Sequence, residues 1–189
     1  MLGCTIMSDE SQKPPWASLG IGVASLFAWL AMTACGKTGL TTCKKTSDLD
    51  AATALESAVN NFYTEYGKMP GTGSRVTTDT PEGVKFLTIL LGLDEKVVPP
   101  MNTRAIKFLC VREGKSRRNG LINVASGNTV EGIFDSWGNP YTVELDSQYR
   151  EQLHFTIGSR TIDLKGRRAA AYAPGPDHRL GTSDDVITW

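Results

Sequence analysis

Residues 14–36, PPWASLGIGVASLFAWLAMTACG, carry no charged side chain, and this run limits the chain more than any other feature. As a helix, Trp16–Ala34 would be about 28 Å long, close to the ~30 Å hydrocarbon core of a bilayer. A core helix normally keeps a polar face, and this run has no charged one. The segment is therefore expected to enter a membrane. It divides the chain into a 1–13 tail, the 14–36 anchor or signal, a 37–46 polar linker (KTGLTTCKKT) and a 47–189 globular domain.

Two versions of the anchor stay open. One is an uncleaved signal anchor. The other is a lipoprotein signal, because Met32-Thr33-Ala34-Cys35 resembles a bacterial lipobox with Met in place of Leu, making Cys35 the lipidation candidate. The tail sets Asp9 and Glu10 against Lys13, whereas a secretory n-region is positive. Lys13 on one flank and Lys37, Lys44 and Lys45 on the other do not yield an orientation by charge.

Beyond the linker the periodicity changes. Ser47 is a good N-cap, and Ala52, Leu55, Val59, Phe62 and Tyr66 recur at steps of 3 and 4, which predicts an amphipathic helix that Gly67 and Pro70 end. Thr80, Pro81 and Glu82 signal a second helix with Val84, Leu87 and Leu91 on one face and Gly92 at its end. Ala105–Val111 reads as a short strand, with Cys110 expected as a buried free thiol; a Cys43–Cys110 disulfide stays open. Short strands are expected at Thr129–Phe134, Tyr141–Leu145, Leu153–Ile157 and Ala169–Ala173, with a turn at Asp146-Ser147-Gln148. Helices followed by strands argue for an α+β fold: after the N-terminal membrane helix, an amphipathic helix packed on a small antiparallel sheet.

The charge total narrows function. With 20 Lys+Arg against 20 Asp+Glu the chain has no basic excess, and the basic loop at Arg112, Lys115, Arg117 and Arg118 lacks interleaved aromatics, so no nucleic-acid partner is expected. Motifs that announce catalysis are absent, so no enzyme is expected. His154 shares the polar face of a strand with Thr156, and His178 sits in a polar loop; a hydrolase using either is the remaining catalytic reading. The C-terminus, from Ala173 to Trp189, places Asp177, Asp184 and Asp185 among glycines. Their carboxylates, with backbone carbonyls and water, suit a hard cation such as Ca²⁺, although the spacing is not that of an EF-hand.

Three stretches together resemble one family. Ala51 to Pro70, ending Tyr66-Gly67-Lys68-Met69-Pro70, is similar to the helix end of the major pseudopilins of type II secretion systems. Asp135-Ser136-Trp137-Gly138-Asn139-Pro140-Tyr141 resembles their D-P-W-G-N-P-Y signature, with Ser136 in place of Pro. The terminal G-P-D…G-T-x-D-D-V…W resembles their calcium loop.

The resemblance implies a pilin-like fold with a C-terminal calcium-type loop. It implies Ca²⁺ held by Asp177, Asp184 and Asp185, with the carbonyls of Pro174 and Arg179 as further ligands. It also implies a filament subunit at the bacterial inner membrane, its domain in the periplasm. Partners would be other pseudopilins, inner-membrane secretion components or copies of itself. Trp137 is expected in the core or at the loop base, and Gly138-Asn139-Pro140 as the turn into the Tyr141 strand. Where the family carries a Gly cleavage site followed by Phe-Thr-Leu-Ile-Glu, this chain has Leu19-Gly20-Ile21-Gly22-Val23. A lipid-tethered or anchored periplasmic binding module that keeps the fold is the alternative.

Overall fold

A computed structural model describes residues 21–94, 99–124 and 129–189, with side chains from residue 40 onward. The chain divides into two units, Met1–Thr41 and Thr42–Trp189. Among the described residues no helix is long and apolar enough to cross a membrane. The tail 1–13, Pro14–Gly20 and the side chains of the rest of the apolar run, Cys35 included, lie outside them.

Helix α1 spans Ile21–Tyr66. Its backbone runs through Lys37–Thr46 and past Ser47, so the expected helix start at Ser47 is corrected. A capping residue acts only where a helix has free N–H groups, and here the preceding turn already uses them. The nearby Thr46 hydroxyl bonds back to the Thr42 carbonyl at 3.1 Å, the way a hydroxyl is accommodated inside a helix. Gly67 ends α1 as expected: its φ is +64° and its N–H donates to the Tyr63 carbonyl at 2.8 Å.

The strands are β1 (Arg75–Thr77), β2 (Gly120–Asn123), β3 (Val130–Phe134), β4 (Thr142–Leu145), β5 (Gln152–Ile157), β6 (Arg160–Lys165), β7 (Ala169–Ala173) and β8 (Val186–Ile187), with α2 (Pro81–Leu90) between β1 and β2. Antiparallel pairing builds a four-stranded sheet in the order β1-β4-β7-β8 and two hairpins, β2-β3 and β5-β6. The expected α+β class therefore holds in its coarse form: a long helix packed on small antiparallel sheets.

The stripe Ala52, Leu55, Val59 and Phe62 is fully buried and shares one core with Val143, Ala169, Ala171 and Ala173. Removing such a side chain, as in Leu55→Ala, typically costs about 2–5 kcal/mol. Period-two alternation splits β7 between two cores. Ala169, Ala171 and Ala173 face α1, while Ala170 and Tyr172 meet Leu153, Phe155 and Ile157 of β5. Thr80 caps α2 by accepting from the Gly83 N–H at 3.1 Å, and Pro81 occupies the first turn.

Ala105–Val111 is not a strand. The segment is held by Asn102, whose carboxamide accepts from the Ile106 N–H and donates to the carbonyls of Ile89 and Ile106, and Ala105 sits at φ +50°. Leu109 is buried but Cys110 points outward, so the expected buried thiol is corrected: Cys43 and Cys110 are both exposed and free.

Candidate functional site

Three parts of the chain meet beside the N-terminal end of the buried stripe of α1: Lys45 and Asp48 of the helix, the turn Asp135–Tyr141 between β3 and β4, and the terminal loop between β7 and β8. The turn is organised by one carboxylate. Asp135 is fully buried, and its Oδ1 accepts from the backbone N–H groups of Trp137, Gly138 and Asn139 at 2.7–2.8 Å. Its Oδ2 accepts from the Asn139 carboxamide at 2.7 Å. Gly138 takes φ +98°, which lets the backbone curl around that oxygen. Pro140 bridges back to Phe134, and Tyr141 then enters the core. The expected turn into the Tyr141 strand is thus in place. Trp137 is half-buried rather than part of the core.

Asn139 joins the turn to the terminal loop. Its Nδ2 also donates to the Gly175 carbonyl at 2.7 Å, which fixes the orientation of the amide. The Asn139 Oδ1 therefore faces His178 Nδ1 at 2.5 Å, and the imidazole must donate there. His178 closes a 3-10 turn, Gly175–Asp177, with φ +58°. Gly175 has φ +75°, and a Cβ there would lie 2.4 Å from the Asp184 carbonyl oxygen, so the two limbs of the loop touch at backbone level.

Within the loop the carboxylates are tied locally. Asp177 Oδ1 accepts from the Arg179 N–H at 2.8 Å, and Asp185 Oδ2 from the Gly181 N–H at 2.8 Å. Asp184 Oδ2 accepts from the Asp177 N–H at 3.2 Å, and Asp184 Oδ1 from the Thr182 hydroxyl at 2.5 Å. That hydroxyl also lies 3.4 Å from Asp185 Oδ1 and from the Arg179 carbonyl. It has one proton, and the shortest contact takes it. The Thr182 hydrogen bond holds the Asp184 carboxyl below its usual range, and the Asp177 N–H and the Lys45 ammonium add to the effect. Lys45 also reaches the Ser183 carbonyl at 3.4 Å. Asp177 and Arg179 are exposed, Pro174 and Asp184 half-buried, and Asp185 buried. Among the described residues no three His, Cys, Asp or Glu side chains converge as a ready metal cluster. The donor set is that of a hard cation: carboxylate and carbonyl oxygens, with no thiolate.

A buried aspartate one turn before Ala52 ties the helix to the turn. Asp48 Oδ1 accepts from both the N–H (3.0 Å) and the hydroxyl (2.8 Å) of Ser136, and the Tyr141 hydroxyl donates to the Asp48 carbonyl at 3.0 Å. A proline at 136 would offer neither donor. The signal was in the spacing: Asp48 lies four residues before Ala52 and so extends the buried stripe.

The histidines stand apart from one another. His154 is exposed on β5 and lines a polar cleft of about 260 Å³ with Glu144, Asp146, Arg150 and Gln152. Arg117 of the basic loop pairs with Glu131 at 3.1 Å and stacks over Phe134. No family model, curated protein or solved structure matches the chain.

Proposed function

We propose that the chain is a membrane-anchored, pseudopilin-like structural subunit of a type II secretion-like system, with Ca²⁺ bound in its terminal loop. The observation that carries this reading is the Asn139 bridge. The signature turn and the terminal loop, apart in sequence, are joined by the Asn139–Gly175 and Asn139–His178 bonds, and Asp48 ties the turn to the helix. Asp177, Asp184 and Asp185 would hold the cation, with the Pro174 and Arg179 carbonyls completing the set. Neutralising adjacent carboxylates is the chemistry the ion supplies. Binding only to the folded loop raises stability by mass action.

The role is mechanical rather than catalytic, and the partners are other pseudopilins, inner-membrane secretion components or further copies of the chain. On this reading the domain lies in the periplasm. Crosslinking in membranes tests this: capture of pseudopilins or secretion components is expected, and their absence together with normal export in a deletion strain rejects it. For the metal, calcium is expected to raise the melting temperature and Asp184→Ala to abolish that gain. Equal melting with calcium and with chelator rejects the site. Intact-mass measurement of the membrane-extracted chain separates a retained anchor from cleavage and lipidation at Cys35.

A further inference from the structure

The joint between α1 and the Asp135–Tyr141 turn contains an unbalanced carboxyl group. Asp48 is 2 % exposed, its Oδ1 takes both Ser136 donors, and its Oδ2 is buried with no hydrogen-bond partner among the described residues. Asp135, in the same joint, accepts four hydrogen bonds and so satisfies its charge. Asp48 therefore meets one satisfied oxygen, one bare oxygen and a neighbouring carboxylate.

The other groups facing it offer little relief. Arg112 contributes an opposite charge, but its Nε and Nη2 donate to Asn119 at 2.7 and 3.1 Å. Tyr141 is buried, and its hydroxyl serves the Asp48 carbonyl rather than the carboxyl. Burial first, then Asp48 and Asp135, push the Tyr141 phenol far up, so it stays protonated.

We propose that Asp48 is a proton-held latch: protonated, it clasps α1 to the Asp135–Tyr141 turn, and its ionisation at higher pH loosens that joint. An anion at Oδ2 finds no donor among the described residues and faces the Asp135 carboxylate; opening the joint hydrates it. Burial raises the Asp48 carboxyl above its usual range, with Asp135 adding to the rise, while the two Ser136 hydrogen bonds and Arg112 oppose it. A carboxyl raised by folding gives stability that is complete below the unfolded value of ~3.9 and is lost as pH rises through the folded one. The latch stands on the joint itself, independent of what the chain assembles with.

The test follows the Asp48 side-chain carbon by NMR through a pH titration of the full chain in mild detergent. Amide protection at Ser136–Asn139 is measured alongside, in wild type, Asp48→Asn and Arg112→Gln. Asp48 is expected to titrate above the ordinary carboxylate range. Protection of the turn should fall as it ionises, Asp48→Asn should remove that pH dependence, and Arg112→Gln should move the titration to higher pH by taking away an opposing charge. An Asp48 that titrates at or below the ordinary range overturns the latch. So does a pH dependence of turn protection that Asp48→Asn leaves unchanged. The wild-type titration decides the matter even if a variant fails to fold.

Discussion

At the Asp135–Tyr141 turn the carboxylate faces inward, fully buried among three backbone N–H groups and one amide. On the other side of Asn139, the terminal loop turns its carboxylates on short local bonds to Arg179, Thr182 and Gly181, with Asp177 exposed and Asp184 half-buried. Both regions are Asp- and Gly-bearing bends. They differ in how many donors each carboxylate oxygen receives. Asp135 Oδ1 is saturated by three N–H groups, so its charge is committed to the fold. Asp184 Oδ1 takes the Thr182 hydroxyl and Oδ2 the Asp177 N–H, with no three N–H groups converging on one oxygen among the described residues. How firmly an aspartate is committed to the fold thus depends on the donors around it.

The sharpest way to break this comparison is Asp135→Ala. It removes the acceptor shared by three N–H groups and the Asn139 carboxamide, and a loss of about 4 kcal/mol is expected in urea unfolding. A small loss would mean that the turn is not built on that carboxylate. Gly175→Ala comes next. At φ +75°, with the Asp184 carbonyl 2.4 Å from the new Cβ, it should cost about 2 kcal/mol and displace the limb that carries Asp184. The calcium-induced stabilisation proposed for the loop should vanish in the same variant. Retention of the full calcium effect would separate the cation site from the loop's close approach.

The smallest effect is expected for Asp184→Asn, under about 1 kcal/mol, because the group is partly solvated and its interactions are screened. Its sign is distinctive. Asp184 sits below its usual range, so its contribution is present above the unfolded value of ~3.9 and disappears as pH falls through the lowered folded value. The melting curves of wild type and Asp184→Asn should therefore converge in acid. Asp48 runs the opposite way, which makes the pair an internal control: one carboxyl favours folding when ionised, the other when protonated.

Much of the frame was readable in the residues. The stripe from Ala52 to Phe62, the Thr80 cap with Pro81, and the alternation of Leu153, Phe155 and Ile157 each depend on neighbours within a few positions. β1, β2, β6 and β8 were not found; β1 and β8, three and two residues long, are defined only by pairing with β4 and β7. Ala105–Val111 carried an apolar pattern but bonds to Asn102 and Leu90 instead of to a strand. Ser47 carried a capping signal that a helix already under way made irrelevant.

By itself the sequence determined what local chemistry dictates: helical and strand periodicities, caps, the uncharged run, and the Asp- and Gly-rich bends. Tertiary structure alone decided which polar groups far apart in the chain meet. Asp48 with Ser136, and Asn139 with Gly175 and His178, lie 88, 36 and 39 residues apart. The physical reason is that a charged group's role depends on solvent exclusion and hydrogen-bond partners, and both are properties of folded space.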